Sequence, residues 1–286
     1  MPFLRQLLVL SCSISLSLAL ALQLPAAEPE VIDLWPARSM PGKPAAAPES
    51  EVPRNDGFHR ITNVSQPTLT FFPATLSNKQ PAPAVIVCPG GAYKYVVTDK
   101  EGSEIATWLN RHGFSALVLK YRVPDNRDGA LMDLQRAISL TRCRASSWHL
   151  LPDKIGVIGF SAGGHLAARA SSTFNSRSYP VSDPIDRVNC RPDFAILVYP
   201  AYLATPDGRT SPDLNLSAAI PPTLFVHTDD DSAHITGSKA YQKSLDAARI
   251  PNQFLLYPTG GHGYALHAPA PANAWPDAAI SWLKSR

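Results

Sequence analysis

Residues 154–168 read Lys-Ile-Gly-Val-Ile-Gly-Phe-Ser-Ala-Gly-Gly-His-Leu-Ala-Ala, and the rest of the chain is organised around them. The stretch begins as a short apolar run, continues through small residues and ends in helix formers. It therefore predicts a buried strand, a sharp turn and a helix. The turn carries the pattern Gly159-x-Ser161-x-Gly163, which is typical of a nucleophile elbow. Glycine suits both flanking positions because a side chain there would clash with the adjoining strand or helix.

An elbow of this kind lifts the serine hydroxyl above the end of the strand. It also places the hydroxyl at the N-terminus of the next helix, where free N–H groups favour developing negative charge. We therefore predict that Ser161 is a catalytic nucleophile. The alternative interpretation is a glycine-rich turn between a strand and a helix, in which the serine has no chemical role.

Short apolar runs alternate with amphipathic stretches along most of the chain. This alternation predicts an α/β fold, with a mostly parallel central sheet and helices on both faces. In such sheets the ligand site lies beyond the C-terminal ends of the strands. The predicted strands are 68–72, 83–88, 114–121, the run after Asp153, 193–199, 223–227 and 253–257, and the predicted helices are 101–112, 128–148, 238–248 and 274–284.

The first 27 residues have the layout of a secretory signal peptide. One cation, Arg5, precedes a long apolar run, and small residues follow at 25–27. A transmembrane anchor is the alternative, which the many serines of the run disfavour. We predict an exported protein, periplasmic or secreted, in which a Pro/Ala-rich extended segment at 28–58 precedes one α/β domain at 59–286.

Composition argues against several classes of partner. The net charge of +3 is mild, and no basic run or basic patch interleaved with aromatic residues indicates a nucleic acid. No second apolar segment approaches the length of a membrane span, so we expect no stable membrane insertion after cleavage. Three cysteines remain after cleavage, Cys88, Cys143 and Cys190, without a CxxC spacing. We predict no metal and no cofactor, and a Cys143–Cys190 bridge stays open.

A serine nucleophile needs an imidazole that takes its proton and a carboxylate that orients the imidazole. His262 is the candidate imidazole, because it follows the last predicted strand in a glycine-flanked loop. The candidate carboxylates are the three aspartates at 229–231, which follow the preceding predicted strand. A solvated loop histidine is the alternative for His262. We expect His165 to pack within its helix and His227 to support the site rather than act in it.

Four motifs together resemble the exported esterases of the α/β-hydrolase superfamily, and within it the bacterial acetylxylan and feruloyl esterases. The resemblance covers roughly residues 60–286 and implies the α/β-hydrolase fold with a Ser-His-Asp triad in that superfamily's chain order, Ser then Asp then His. The motifs are Cys88-Pro-Gly-Gly-Ala-Tyr93, Gly159-Phe-Ser-Ala-Gly-Gly-His165, the aspartates at 229–231 and Gly260-Gly-His-Gly263.

The resemblance also implies a role for particular residues. The related pattern Thr-x-Asp-Asp, laid on Thr228 and the three aspartates, makes Asp230 the catalytic carboxylate and leaves Asp231 to shape the turn. The loop at 89–92 would donate backbone N–H groups to an oxyanion. The mapped donors are Gly91, Ala92 and Ala162, with Ala92 in place of the usual glycine on the condition that its φ is negative.

We therefore expect a serine carboxylesterase that forms an acyl-enzyme on Ser161. The resemblance implies acetyl or other small acyl groups on a polysaccharide or oligosaccharide as substrate, and small esters as well. Two alternatives stay open. One is a serine peptidase of the prolyl-oligopeptidase type without its gating domain, and the other is a non-catalytic binding protein on a hydrolase scaffold.

Overall fold

An eight-stranded, mostly parallel sheet forms the centre of the protein in a computed structural model that describes residues 29–37, 39–75, 80–216 and 219–286. The strand order is β1-β4-β7-β5-β8-β9-β10-β11, and only the β1–β4 and β4–β7 pairs are antiparallel. The strands are β1 (Glu30–Asp33), β4 (Thr68–Phe72), β5 (Ala82–Cys88), β7 (Ser115–Lys120), β8 (Leu150–Phe160), β9 (Ala195–Val198), β10 (Thr223–Thr228) and β11 (Asn252–Tyr257).

Five α-helices follow the order that the sequence predicts. A short π-helical turn at Asp99–Ser103 leads into the first of them. The second helix is shorter than the predicted 128–148, because the chain leaves the helix at Cys143 and turns through residues 144–149 before β8. The helices are α1 (Glu104–Arg111), α2 (Arg127–Cys143), α3 (Ala162–Thr173), α4 (Ile235–Ala247) and α5 (Trp275–Lys284).

The sheet separates two apolar cores because its side chains alternate between its faces. Along β5, Ala84 and Ile86 pack into the core that holds α2, α3 and α4. Val85 and Val87, their neighbours, pack into the core that holds α1 and α5. Burying an aliphatic side chain of this size stabilises the fold by about 1.5–3 kcal/mol. The predicted fold, a mostly parallel sheet covered on both faces, is confirmed.

The segment before the sheet is more structured than its composition suggests. After β1 has joined the edge of the large sheet, Trp35 is buried and its Nε1 donates to Asp133 of α2 at 2.7 Å. Further on, β2 (Ser50–Glu51) and β3 (Arg60–Thr62) form a small antiparallel sheet with β6 (Val96–Val97). This small sheet places residues 54–60 beside the C-terminal ends of the central strands.

Several expectations about the chain can be set against the described residues. The predicted signal peptide at 1–27 lies outside them. Cys88, Cys143 and Cys190 are free, so the structure forms no Cys143–Cys190 bridge. Within the described ranges, no helix is both long enough and apolar enough to cross a membrane.

Candidate active site

Ser161 occupies the tight turn between β8 and α3. Its φ is +51° and its ψ is −117°, a conformation that costs a non-glycine residue free energy. The two flanking glycines permit the turn, because a Cβ on Gly159 would lie 2.1 Å from the Gly163 carbonyl oxygen. A Cβ on Gly163 would in turn lie 2.0 Å from the Cys88 carbonyl oxygen. The predicted elbow geometry is therefore present, and it directs Ser161 to the C-terminal edge of the sheet.

Three side chains from three strand ends form a continuous hydrogen-bonded chain. The Ser161 Oγ lies 2.8 Å from Nε2 of His262, which follows β11. The other ring nitrogen, His262 Nδ1, lies 2.6 Å from Oδ2 of Asp231, which follows β10. A carboxylate accepts only, so Nδ1 carries the donated proton and the neutral ring leaves Nε2 free to accept the serine proton. The predicted serine and histidine are thus brought together.

The carboxylate in this chain is Asp231, so the prediction of Asp230 is wrong by one residue. The turn after β10 is closed by a hydrogen bond from the Asp231 N–H to the Thr228 carbonyl oxygen, at 3.3 Å. This turn carries the side chain of Asp231 inward, to 5% exposure, and leaves Asp230 outside. Asp230 instead accepts from the backbone N–H groups of Gly260 and Gly261, at 3.1 and 2.9 Å. It therefore shapes the loop that carries His262.

Asp231 has a second histidine partner. Its Oδ2 lies 2.8 Å from Nε2 of His227, the next-to-last residue of β10, and His227 Nδ1 lies 2.8 Å from the Ser238 Oγ of α4. Both His227 and Ser238 are fully buried. The expectation that His227 supports the site agrees with these contacts. The spacing His227-x-x-x-Asp231 is the sequence signal that distinguishes Asp231 from its neighbours, whereas Asp229 forms a surface ion pair with Lys239 at 2.5 Å.

Burial and hydrogen bonding shift the pKa values of Asp231 and of two nearby histidines, His227 and His234. Burial alone would raise the pKa of Asp231, but hydrogen bonds from His227 and His262 outweigh it and hold this pKa far below its usual range. Burial lowers the pKa of His227 despite its contact with Asp231. Burial and the neighbouring His262 also lower the pKa of His234, whose ring centroid lies 4.7 Å from that of His262. Asp231 is therefore a carboxylate at neutral pH, and the rings of His227 and His234 favour the neutral form.

These contacts also bear on metal binding. The ligand atoms of His227, Asp231 and His262 lie within 4.8 Å of one another, close enough to surround a metal ion. However, the two histidines approach the same carboxylate oxygen at 2.6 and 2.8 Å, which are hydrogen-bond distances. Hydrogen bonding thus accounts for the cluster.

The loop after β5 lies beside Ser161 in a strained conformation. Gly91 has a φ of +132°, and a Cβ there would lie 2.0 Å from the Tyr95 carbonyl oxygen. Ala92 has a φ of +55°, so the condition of a negative φ, on which this alanine was accepted as a donor, is not met. The left-handed region costs alanine about 1–2 kcal/mol. The loop is held there in part by Tyr93, whose hydroxyl lies 2.9 Å from Nδ1 of the buried His165.

The three mapped donor groups share one property. Within the described ranges, the N–H groups of Gly91, Ala92 and Ala162 have no protein acceptor. Gly91 and Ala92 line the same cavity as Ser161, and Ala162 directly follows Ser161 as the first residue of α3. Unpaired N–H groups near a nucleophile are suited to bind an oxyanion.

A buried carboxyl group that the sequence analysis missed connects the two loops of the site. Glu101 accepts from the Gly90 N–H at 2.7 Å and from the Tyr199 hydroxyl at 2.8 Å. The Tyr199 oxygen accepts in turn from the N–H of Ala265, three residues after His262, at 2.9 Å. Burial raises the pKa of Glu101, although these hydrogen bonds oppose the rise. No sequence signal marks Glu101, which falls at the start of a predicted helix.

Ser161 and His262 open into a cavity of about 440 Å³. Its floor consists of the strand ends and the loop after β5. Charged residues at 54–60 and in the π-helical turn at 99–103 line the remainder, which we call the mouth. Gly91, Ala92, Tyr95, Ala201, Tyr202 and His234 complete the inner wall, and Arg54, Asp56, Arg60 and Lys100 line the mouth.

Comparison with known proteins is consistent with this architecture. Residues 71–189 match the family model described as BD-FAE. The acetylxylan esterase of Xylanibacter ruminicola is 26% identical over 209 residues, which cover 64% of this chain and 41% of that protein. Esterase LipC of Mycobacterium tuberculosis is 27% identical over 219 residues, which cover 65% of this chain and 54% of LipC. The chain thus spans about half the length of these two relatives.

A solved structure matches over a larger share. The acetyl ester-xyloside bifunctional hydrolase from Caldicellulosiruptor lactoaceticus superposes with a TM-score of 0.77 and is 29% identical. The match covers 91% of this chain and 97% of that one. The predicted α/β-hydrolase fold and the predicted resemblance to acetylxylan esterases are confirmed.

Proposed function

We propose that this α/β-hydrolase, which resembles acetylxylan esterases, hydrolyses carboxylic esters through a covalent acyl-enzyme on Ser161. One observation carries the proposal: the hydrogen-bonded chain from Ser161 through His262 to Asp231, at 2.8 and 2.6 Å, beside N–H groups without a protein acceptor. A nucleophile, a base and an orienting carboxylate in this geometry are the requirements of acyl transfer.

The first half-reaction forms the acyl-enzyme. The Ser161 Oγ attacks the ester carbonyl carbon while His262 Nε2 takes the hydroxyl proton, and Asp231 stabilises the imidazolium that results. When the tetrahedral intermediate collapses, the bond to the alcohol oxygen breaks and His262 returns the proton to that oxygen. The alcohol leaves and the acyl group stays on Ser161.

The second half-reaction uses water in place of the alcohol. His262 takes a proton from the water as its oxygen attacks the acyl carbon, and the proton returns to the Ser161 Oγ as the carboxylic acid leaves. In both halves the negative oxygen lies against the N–H groups of Gly91, Ala92 and Ala162. Removing one donor of this kind costs about 3–4 kcal/mol of transition-state stabilisation.

We further propose acetyl or other small acyl groups on a polysaccharide or oligosaccharide as the natural substrate. Two relatives, an acetylxylan esterase and an acetyl ester-xyloside hydrolase, support this class of substrate. Ala92, Tyr95 and Tyr202 line the cavity together with Ser161, and we expect these side chains to restrict the length of the acyl chain. The favoured esters are therefore short ones.

A substrate panel tests both levels of this proposal. Rates are measured on acetyl, butyryl, decanoyl and feruloyl esters, on acetylated xylan and on a peptide amide, with Ser161→Ala as the blank. We expect acetyl and butyryl esters to be hydrolysed faster than decanoyl esters. A higher kcat/KM for decanoyl than for acetyl esters contradicts the preference for short acyl groups. Cleavage of the peptide amide without cleavage of any ester contradicts the esterase proposal and indicates a peptidase.

The site of action is a separate proposal. We propose that residues 1–27 direct export and are then removed, because a cation, an apolar run and small residues follow one another there. N-terminal sequencing of the exported protein should begin between residues 22 and 28. A mature protein that still begins at Met1 contradicts export by a cleaved signal.

A further inference from the structure

The mouth of the Ser161 cavity carries more positive than negative groups. Three cations line it, Arg54, Arg60 and Lys100, and two acids accompany them, Asp56 and Glu101. The contacts among these five groups determine which charges are available to a ligand.

Both acids already have protein partners. Asp56 forms a double ion pair with Arg60, at 2.8 and 2.5 Å, and this contact lowers the pKa of Asp56 to about 2. Glu101 is 5% exposed, and its oxygens already accept from Gly90 and from Tyr199. Neither acid is therefore free to neutralise a further cation at the mouth.

The side chain of Arg60, which lines the mouth, is held in place by several hydrogen bonds. It is 6% exposed, and besides Asp56 its guanidinium donates to the Phe58 carbonyl oxygen at 2.9 Å. Its Nε is buried and has no hydrogen-bond partner within the described ranges. An unpaired donor on a residue this deeply buried is uncommon in proteins, and Arg60 is among the residues that line the cavity.

Arg54 and Lys100 have no carboxylate within ion-pair distance among the described residues. Instead, each lies over an aromatic ring: the Arg54 guanidinium is 5.6 Å from the centroid of Tyr95, and the Lys100 ammonium is 4.9 Å from that of Phe58. Contacts of this kind position a cation without cancelling its charge. Two cations at the mouth, Arg54 and Lys100, therefore have no ion-pair partner of their own among the described residues.

We propose that this mouth is a carboxylate subsite, so that the preferred substrates are esters that carry a free carboxylate beside the scissile bond. The inference rests on the proposed esterase function and specifies its substrate class. The carboxylate belongs either to the alcohol portion, as in an acetylated uronic acid, or to the acyl portion, as in a hemiester of a dicarboxylic acid. Arg54 and Lys100 attract it, beside the guanidinium of Arg60, which Asp56 and the Phe58 carbonyl oxygen hold in place.

Two matched pairs of substrates distinguish these sources. Acetylated methyl glucuronoside is compared with acetylated methyl glucoside, and 4-nitrophenyl hemisuccinate with 4-nitrophenyl butyrate. For each pair the ratio of kcat/KM values, charged over neutral, is measured at low salt and at about 0.5 M NaCl, where the Debye length shrinks to a few Å. The enzymes are the wild type, Arg54→Gln, Lys100→Gln, the double variant and the control Arg111→Gln. Arg111 is an exposed cation at the end of α1 that does not line the cavity.

We expect the wild-type ratio to be about tenfold in one pair at low salt, as one well-placed charge contact provides. The ratio should fall towards one in the double variant and at high salt, and should keep its wild-type value in Arg111→Gln. A wild-type ratio near one in both pairs overturns the subsite, as does a ratio that the double variant retains.

A binding measurement separates this inference from the esterase proposal. Methyl glucuronoside and methyl glucoside are titrated into the Ser161→Ala protein, in which no turnover is expected. We expect the glucuronoside to bind about tenfold tighter than the glucoside or, in a parallel titration, succinate to bind about tenfold tighter than a neutral analogue of succinate. Adding the Arg54→Gln and Lys100→Gln changes should remove this difference. If the wild type hydrolyses no ester but the difference in binding persists, the esterase proposal is refuted and the subsite stands. If charged and neutral ligands bind equally, the subsite is refuted and the esterase proposal stands.

Discussion

The floor and the mouth of the cavity differ in how their polar and charged groups are paired. On the floor, Ser161, His262 and Asp231 follow the ends of three parallel strands and are joined by hydrogen-bond contacts of 2.6–2.8 Å, which His227 extends. At the mouth, Arg54 belongs to the irregular segment between β2 and β3 and Lys100 to a short π-helical turn, and neither cation has an ion-pair partner among the described residues.

This difference separates reactivity from selectivity. The floor is positioned by the sheet, whose register is fixed by two buried cores, so its geometry persists as long as the fold does. The mouth is positioned by a few hydrogen bonds and ring contacts, which a substitution changes without disturbing the sheet. We therefore expect changes on the floor to abolish turnover, and changes at the mouth to alter the choice of substrate.

The largest expected effect is that of Ser161→Ala. Without the nucleophile the acyl-enzyme does not form, and turnover of acetyl esters should fall by about 10⁴-fold or more. Steady-state rates on purified protein measure the loss, and circular dichroism should be unchanged because alanine fits the space of serine. Residual activity near that of the wild type would show that another group is the nucleophile.

The second comparison lies within the floor itself. Asp231→Asn should lower kcat by about 10⁴-fold, because the histidine then loses the carboxylate that fixes its tautomer, as in the serine protease that supplies this magnitude. Asp230→Asn should cost only about two- to tenfold, since an amide oxygen still accepts one of the two loop N–H groups. Asp229→Asn is the matched control and should keep wild-type rates. An inactive Asp230→Asn protein beside an active Asp231→Asn protein would contradict the assignment.

A smaller effect is expected at His227, the second histidine partner of Asp231. His227→Leu removes a donor from the carboxylate and leaves Ser238 without its partner, at a cost of about 1–3 kcal/mol. We expect kcat to fall by about 10–100-fold with KM nearly unchanged, because His227 positions Asp231 and does not line the cavity. The conservative variant His227→Gln retains a donor and should recover part of kcat. Equal effects of both variants on kcat and KM would indicate general disruption of the fold instead.

The smallest effect concerns stability at acid pH. Asp231 on the floor and Asp56 at the mouth both have a pKa below that of an unfolded chain, about 3.9. The stability that such a group contributes is present above its unfolded pKa and is lost as the pH falls through its folded pKa. We expect Tm to fall between about pH 4 and pH 2 in the wild type. Asp231→Asn should flatten this fall more than Asp56→Asn, because Asp56 is exposed to solvent, and the opposite order would contradict the contrast between the two regions.

Much of the floor was predictable from sequence, because it depends on local patterns. Close approach requires the glycines around Ser161, and a positive φ favours glycine on both sides of His262. Strand periodicity places both residues at one edge of the sheet. The choice among 229–231 was not predictable from a family pattern, since it depends on the backbone angles of one turn. The spacing from His227 to Asp231 carried the information that the pattern lacked.

The remaining features depend on contacts between distant parts of the chain. Glu101 and Tyr199 are 98 residues apart, and nothing local to either residue announces their hydrogen bond. The positive φ of Ala92 occurs in a turn closed by hydrogen bonds from the Lys94 and Tyr95 N–H groups to the Gly91 carbonyl oxygen, and the preference of alanine does not predict it. The proline and alanine content of 28–58 indicates an extended segment and reveals nothing of the small sheet that positions Arg54 and Arg60 at the mouth.

Covalent labelling tests the central claim most directly. The purified protein is incubated with a fluorophosphonate at neutral pH, digested, and the adduct is located and timed by mass spectrometry. We predict one adduct, on the peptide that contains Ser161, formed at near wild-type rate in Asp230→Asn, far more slowly in Asp231→Asn and not at all in Ser161→Ala. An adduct on another residue, or ester hydrolysis that continues without any adduct, would contradict the account.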